Sequence, residues 1–545
     1  MFIKIILSIV IGFCFSVNDV DAVTTRIYGG NELQESAYPW IGKFNRIREG
    51  ISTVENVCTA VLIEANWAVI SAHCVGEIIK QPIIMDQYHF VFNFINIENQ
   101  NEKTPIKIKK IFLDHRYDIN NSKYYDLALV RLDISEDSPE YGELSSYIYS
   151  DDDNYIASFT KISLLEDESI NELEKEGKFL KVVGWGKTEN DEKTSILQEL
   201  DVPVCNQERC NQDYSIELGD DMICAGFDNK NHGAYHGDSG GPLFSCDNYA
   251  NGQCELIGIV NFGQEIKIGE NKFIRAVGPD VYTKISFFKK WIEQIQVLDA
   301  FYENGNSSYF NWSFDDYKVL KPEIDKIDEI EIIDNEVISL NFHNRGIRKI
   351  PRELKKLKKL KKLELMTNLI SEISTSSSIF NLNELIYLSL LGNNLNKITI
   401  DKGLKKLEEL DLSGNDLEQV NISNLDNLKK LDISNNKLRK FPGNIKNLNK
   451  LEEVWAWFNK WEIVDDGISN LQSLKKLVLN YYKDNPATVD THYISDQIVY
   501  LKDLEILTFA YSGVKRLPWQ IGELKNLTGI SLYGSPVECF PPKSL

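Results

Sequence analysis

The sequence predicts a two-part chain: an all-β half of sandwich or barrel type, followed by an α/β solenoid of short stacked repeats. Two observations predict it. From Ile27 to about Gln296, short apolar segments are split by turns, with few long amphipathic stretches. Many short strands at turn-bounded spacing read as a sandwich or barrel. From Val337 onward the template L-x-x-L-x-L-x-x-N-x-L recurs nine times. A fixed period of this size marks units that bury their apolar face only by stacking.

Length and charge set the frame. A chain of 545 residues exceeds what one core organises, so several domains are expected. Hydrophobic content of 43% and charged content of 26% are ordinary for globular chains. The net charge of −21 excludes a nucleic-acid binder, which needs a basic surface against phosphates. Met1 and Lys4 lead into the apolar run Ile5–Phe15, followed by Asn18 and Asp19. That run is too short for a bilayer and has the length of a signal-peptide core, so residues 1–22 read as a leader and 23–26 as a pro-segment. No later stretch suits a membrane helix, and a secreted, extracellular product is expected. Cys14 leaves with the leader, and the eight cysteines that remain read as disulfides. Sequons at Asn120, Asn306, Asn311, Asn421 and Asn526 fit a glycoprotein.

Along the first half, strands are expected at Val57–Ile63, Trp67–Ser71, Ile106–Leu113, Leu127–Leu132, Leu180–Val183 and Leu256–Val260. The half closes at residue 297 with a helix around Phe287-Phe288-Lys289-Lys290-Trp291-Ile292. Residues 298–336 are polar and acidic and read as a linker with a cap. The repeats occupy 337–545, with template starts at Val337, Leu360, Leu385, Leu407, Leu428, Leu451, Leu474, Leu504 and Leu527. Steps are 21 to 25 residues, apart from one of 30 that carries an insert around Asp484–Ser495. Asn368, Asn393, Asn415, Asn436 and Asn459 fill the asparagine position, which is lost to Arg345, Tyr482, Ser512 and Ser535 elsewhere. The leucines stack into one core, and the buried asparagine bonds the backbone where the chain bends. This pattern resembles the leucine-rich-repeat family, with Pro351, Pro442, Pro518 and Pro541 closing some repeats. The resemblance implies a curved solenoid with a parallel sheet on its concave side.

Four patches of the first half make one chemical system. Gly237-Asp238-Ser239-Gly240-Gly241-Pro242 offers a hydroxyl in a turn whose glycines let amides face a developing oxyanion. Ser71-Ala72-His73-Cys74 supplies a base, which a serine nucleophile needs. Asp126-Leu127-Ala128-Leu129 sets an acid before an apolar strand, able to orient an imidazole. The fourth patch is Arg26-Ile27-Tyr28-Gly29-Gly30. Together these resemble the trypsin/chymotrypsin family, as do Tyr38-Pro39-Trp40, Gly184-Trp185-Gly186 and Pro279-Asp280-Val281-Tyr282-Thr283. The resemblance implies a double six-stranded barrel over 27–297, a Ser239–His73–Asp126 triad, and an oxyanion hole from the Gly237 and Ser239 amides. It also implies a zymogen, in which cleavage at Arg26–Ile27 frees an ammonium that pairs with Asp238. Cys58–Cys74 would tie the histidine loop and Cys210–Cys224 the loop supporting the pocket. Cys246 and Cys254 are close enough to staple a hairpin. Tyr235 stands where the family has a cystine, and Cys205 and Cys539 are left over.

By the same resemblance Gly233 floors the substrate pocket where trypsin-like members carry Asp, while Asp280 stands where most members have Gly. Asn261-Phe262-Gly263 lines the substrate in place of Ser-Trp-Gly, and tolerance of basic and apolar residues is expected. On the solenoid, Tyr387, Ser389, Leu391, Asp411, Ser413, Asp432, Trp455, Trp457 and Tyr533 fall on the concave face. Trp455, Trp457 and Tyr387 are candidate anchors for a protein partner. The Lys-rich run Lys355–Lys362 reads as the coat of a solvated convex face, open to acidic polymers. No cofactor or metal set is read. The expectation is a secreted serine endopeptidase acting on protein substrates after an activating protease, with the repeats selecting a substrate, inhibitor or surface. The alternative is a recognition protein whose first half is a switch or scaffold. Fluorophosphonate labelling of Ser239 separates the two.

Overall fold

The computed structural model describes residues 31–538, except 34–36, 48–53, 136, 147–160, 166–168, 187–194, 215–216, 228–232, 235–236, 247–252, 264, 268–272, 276–277, 315–317, 443–444, 446–447, 462–467, 469, 481–495 and 513. The leader, Arg26 and Ile27, Tyr235, the insert, Tyr482, Cys539 and Pro541 lie outside the described residues. Contacts divide the chain into two compact units. The first runs to Cys74 and takes in Asp86–Lys107 and Ile134–Lys284; the second holds Val75–Met85, Ile108–Asp133 and Ile285–Leu545.

Alternation builds the first unit. In Gln198–Pro203, Gln198, Leu200 and Val202 point inward while Glu199 and Asp201 point out, the period-two signature of a half-buried strand. That strand belongs to a sheet whose order is Asn31–Glu32, Gln198–Pro203, Phe179–Gly184, Pro242–Ser245, Gln253–Phe262, Asp280–Lys284, Met222–Ala225. A bridge between Val204 and Ala225 joins the last strand back to the second. Six strands therefore close into an antiparallel barrel, the fold of trypsin-like domains. Closure leaves no sheet edge to manage. Also in this unit, Ile41–Ile47 pairs with both Val54–Glu64 and Tyr88–Phe92, and Val54–Glu64 pairs with Trp67–Ile70. Trp40, Phe44, Trp67 and Phe90 are buried at their centre.

In the second unit, Ile106–Leu113 pairs antiparallel with Ala128–Leu132, and Lys318–Leu320 joins it in parallel. The helix expected around 287–292 runs from Ile285 to Asn304. It continues past residue 297 because Leu298, Ala300, Phe301 and Tyr302 prolong its buried face. Its polar members Asp299, buried, and Glu303, at the solvent edge, both hold Lys110, a lysine with no exposed side chain. Lys110 Nζ lies 2.6 Å from Asp299, and Lys109 reaches Glu303 at 2.7 Å. Burial pulls the Lys110 pKa down, but the two carboxylates outweigh it and hold the group protonated. Gln294 donates to the Asn335 carbonyl at 2.9 Å, and Lys356 donates to Gln296 at 2.5 Å. The helix is thereby bonded to the start of the repeats.

From Ile330 the chain forms a ten-stranded sheet. Ile330–Ile333 is antiparallel to Glu336–Asn341, and every later neighbour is parallel. In each repeat after the first, a three-residue strand begins two residues after the template's leading leucine, from Lys362–Glu364 to Gly529–Ser531. The asparagines form a ladder. Asn415 donates to Leu390 O at 2.9 Å and accepts from Leu395 N at 3.1 Å. Asn393 repeats this one turn before, and Asn436 and Asn459 one and two turns after, while Asn368 binds Phe342 O and Ile347 N. Ser535 corrects the reading of a lost position. Its hydroxyl donates to Phe509 O at 2.7 Å and accepts from Ser512 N at 3.0 Å, so a shorter side chain makes the same kind of link.

Candidate active site

Two positive-φ glycines shape the nucleophile loop, Gly237 at φ +98° and Gly240 at φ +80°. Side chains rarely adopt that region. Gly240 has a second reason: a Cβ there would lie 2.2 Å from Thr59 O and 2.7 Å from Ile70. Between them Ser239 is half-buried, its carbonyl accepting from Thr59 N at 2.9 Å. Gly240 N donates to Val260 O at 3.0 Å, and Ser71 Oγ donates to the same oxygen at 2.7 Å. One carbonyl thus ties the chain just after Ser239 to the chain just before His73.

His73 sits half-buried on the 3-10 turn Ala72–Val75. Cys74 is bonded to Cys58 beside it, and Cys58 precedes Thr59 on its strand. The structure therefore brings the segments of His73 and Ser239 together. Among the described residues the Ser239 hydroxyl makes no hydrogen bond; in resting sites such bonds are commonly long and tighten around substrate. Cys58, His73 and Cys74 also place their ligand atoms within 4.8 Å of one another. The two sulfurs form a cystine, so no thiolate is offered to a metal.

Asp126 belongs to the second unit, fully buried at the head of Ala128–Leu132. Tyr125 before it has φ +54° and carries the Arg116 guanidinium 4.3 Å over its ring. Leu127 N closes the turn onto Tyr125 O at 2.8 Å. Burial, then the charges of Asp126 and Asp118, push the Tyr117 phenol well above its usual range.

Asp238 is fully buried, and its Oδ1 accepts from Gly186 N at 2.7 Å. A Cβ on Gly184 or Gly186 would fall 1.9 or 2.2 Å from this carboxylate. The Gly184-Trp185-Gly186 sequence is thus the bed of Asp238. Sequence reasoning missed Lys43. It is 2% exposed, and its ammonium donates to Gly237 O at 3.1 Å and Thr59 Oγ1 at 3.2 Å. Thr59 Oγ1 donates to Gly237 O at 3.1 Å, and the ammonium lies 5.1 Å from the Trp185 ring centroid. Lys43 and Thr59 hold the carbonyls of Gly237 and Ser239, the two residues whose amides were read as an oxyanion hole. The only signal was a lysine inside the apolar run Trp40-Ile41-Gly42-Lys43-Phe44.

At the pocket, Gly233 is buried with φ +145°. Asp280 is 1% exposed, its Oδ2 accepting from Ala234 N at 2.8 Å. A Cβ on Gly263 would meet Oδ1 at 2.7 Å, so the carboxylate lies between Ala234 and Gly263. Asn261 is buried and donates to Thr283 Oγ1 at 3.2 Å. Phe262 meets Tyr214 edge to face, and Tyr214 OH donates to Pro279 O at 2.9 Å. Tyr214 ends the helix Gln207–Tyr214, which the Cys210–Cys224 cystine anchors. Cys246–Cys254 closes the next hairpin, and Cys205 Sγ lies 3.2 Å from Gly226 O.

On the repeat sheet, Trp455 and Trp457 are half-buried rather than exposed. Lys476 Nζ lies 3.7 Å over the Trp455 ring, and Trp457 packs on Phe458 with centroids 4.6 Å apart. Tyr387 has the Lys362 ammonium 5.4 Å from its ring. Ser389 is fully buried beneath Asp411, to which it donates at 3.2 Å. Among the described residues no helix is long and apolar enough to cross a membrane.

Residues 27–292 match the family model described as Trypsin. The clotting factor G beta subunit of Tachypleus tridentatus is 28% identical over 283 residues, which is 50% of this chain and 80% of that protein. Coagulation factor IX of Oryctolagus cuniculus is 29% identical over 269 residues, 49% of this chain and 83% of that protein.

Proposed function

Residues 27–292 form a trypsin-type serine protease domain, and from that premise we propose that the chain is a secreted serine endopeptidase, made as a zymogen, whose C-terminal half is a leucine-rich-repeat recognition module. Three cystines support an extracellular site of action. Ser239 Oγ attacks the scissile carbonyl carbon while His73 takes its proton, and Asp126 orients the imidazole and balances its charge. The Gly237 and Ser239 amides receive the oxyanion. Collapse expels the amine with the proton from His73, and water then cleaves the acyl-enzyme by the same steps. Cleavage at Arg26–Ile27 delivers the Ile27 ammonium to Asp238, since a buried carboxylate is stabilised by a paired charge. Asp280 receives Arg or Lys side chains from the pocket wall, and the open Gly233 floor admits large apolar ones.

The observation that carries this reading is the carbonyl of Val260, which ties the nucleophile and base segments together. The test is fluorophosphonate labelling of chain processed at Arg26–Ile27. We expect Ser239 to be labelled, Ser239→Ala to stay unlabelled, and Arg26→Gln to remain silent. Well-folded processed protein that takes no label would leave a recognition protein with a silent first half. Peptides carrying Arg, Lys, Phe, Leu or Ala before the cut then test the pocket. Arg and Lys rates no better than Ala would remove Asp280 from substrate binding.

A further inference from the structure

In the repeats, several lysines are matched to a carboxylate on the preceding turn. Lys406 pairs with Glu384 at 2.6 Å, Lys429 with Glu408 at 2.8 Å, and Lys475 with Glu452 at 2.8 Å. Residues 345–362 stand apart by the density of their basic residues. Ten of these eighteen residues are Lys or Arg, and Glu353 is the one acid among them. Arg345, Arg352 and Lys362 bind Glu329, Glu353 and Glu364. Arg348, Lys349, Lys355, Lys358, Lys359 and Lys361 are exposed and make no ion pair among the described residues. Six cations without an ion pair in fourteen residues, of which only Lys359 and Lys361 feel a nearby carboxylate, that of Glu384, make this a basic patch within a chain of net charge −21.

A recess lies beside them. Arg348, Lys349 and Arg352 line a cleft of about 490 Å³ whose opposite wall is the serine-rich turn 371–378. Ser378 is engaged with Pro351 O at 2.6 Å, and Ser374 and Ser376 bond each other at 3.1 Å. Ser371 and Ser377 add hydroxyls to the cleft, and Glu372 is its one carboxylate. Cations facing hydroxyl donors suit an oxyanion such as a sulfate ester, which takes several hydrogen bonds along with the charge.

We propose that residues 348–378 form a docking site for a sulfated polysaccharide, one sulfate entering the cleft while its neighbours run along Lys355, Lys358 and Lys359. The negative charge of the rest of the chain repels such a polymer, so binding is confined to this patch and oriented by it. The cystines place the chain in an oxidising exterior, where sulfated polysaccharide is available. A flat membrane would leave the cleft unused, and the exposed large apolar side chain at its rim is Leu369 alone among the described residues.

The test uses full-length Ser239→Ala protein, so that it is independent of proteolysis, with dextran sulfate as probe and plain dextran and phosphatidylserine vesicles as controls. We expect dextran sulfate to bind and both controls to fail. Affinity should fall log-linearly with salt as counterions are released. Lys355→Gln/Lys358→Gln/Lys359→Gln should weaken binding at least tenfold and flatten the salt slope by about two to three. Arg348→Gln/Lys349→Gln should do the same from the cleft side, which covers the case of one variant folding poorly. Lys406→Gln/Lys429→Gln/Lys475→Gln removes the same net charge from paired positions and should leave binding within twofold. Equal loss in both triple variants would overturn the proposal in favour of net charge. Vesicle binding that exceeds dextran sulfate binding would overturn it in favour of a membrane.

Discussion

The barrel around Ser239 and the ladder around Asn415 solve the same problem, a bend in the chain, in opposite ways. At Ser239 the bend is held by partners far apart in sequence: Thr59, Val260, Lys43 and Gly186. At Asn415 the bend is held by the turn before it and holds that turn in exchange, and the arrangement recurs at each repeat. The first design makes a unique place where an uncommon geometry can be fixed. The second makes an extendable surface whose stability adds from nearest neighbours. A defect in the first should therefore be costly for chemistry, and a defect in the second should stay local.

Substitutions can break or sharpen that contrast. The largest effect is expected where the helix Ile285–Asn304 meets Ile106–Leu113. Lys110→Met leaves the buried Asp299 with only the more distant Arg131 guanidinium at 3.8 Å and should cost about 3 kcal/mol in denaturant unfolding. Adding Asp299→Leu should recover part of it; a double variant no better than the single would show that the pair is not coupled. Next, Gly186→Ala drives a methyl into Asp238. Peptide hydrolysis should drop at least 100-fold, about 2.7 kcal/mol, while unfolding of the repeats is unchanged. In the ladder, Asn415→Ala should cost about 2 kcal/mol by leaving buried backbone groups unbonded. Hydrogen exchange should rise in the adjoining turns only, with peptidase activity kept. Exchange rising throughout the barrel would show the two designs to be one cooperative structure. The smallest effect is assigned to Lys43→Met, about tenfold in kcat with KM unchanged, or about 1.4 kcal/mol. Thr59 still bonds Gly237 O there. Affinity for a peptide boronate should fall in parallel, and Lys43→Arg should restore part of the rate. A KM effect instead would place Lys43 in substrate binding.

How much of this could be read beforehand follows from the same contrast. The repeat strands and the asparagine ladder were legible because a period restates its meaning each time. That the segments of Ser239 and His73 belong together was legible because glycines around a serine, and a histidine beside a cysteine, are chemically distinctive combinations. Lys43 and Lys110 were not, since nothing in a single lysine on a strand says that it is buried. Asp299 and Glu303 hid the last turns of the helix by looking like linker. Ser535 was read as a gap in the ladder, although a hydroxyl one bond shorter still reaches Phe509 O.

Lys318–Leu320 extends the edge of Ile106–Leu113, and Asp299 and Glu303 neutralise its Lys110. Scissors placed at residue 297 would therefore leave Ile106–Leu113 with a naked edge and Lys110 with an orphaned ammonium. A peptidase fragment meant for crystals or assays has to keep its tail through Leu320. Any natural trimming that sheds the repeats intact would have to cut beyond that point as well.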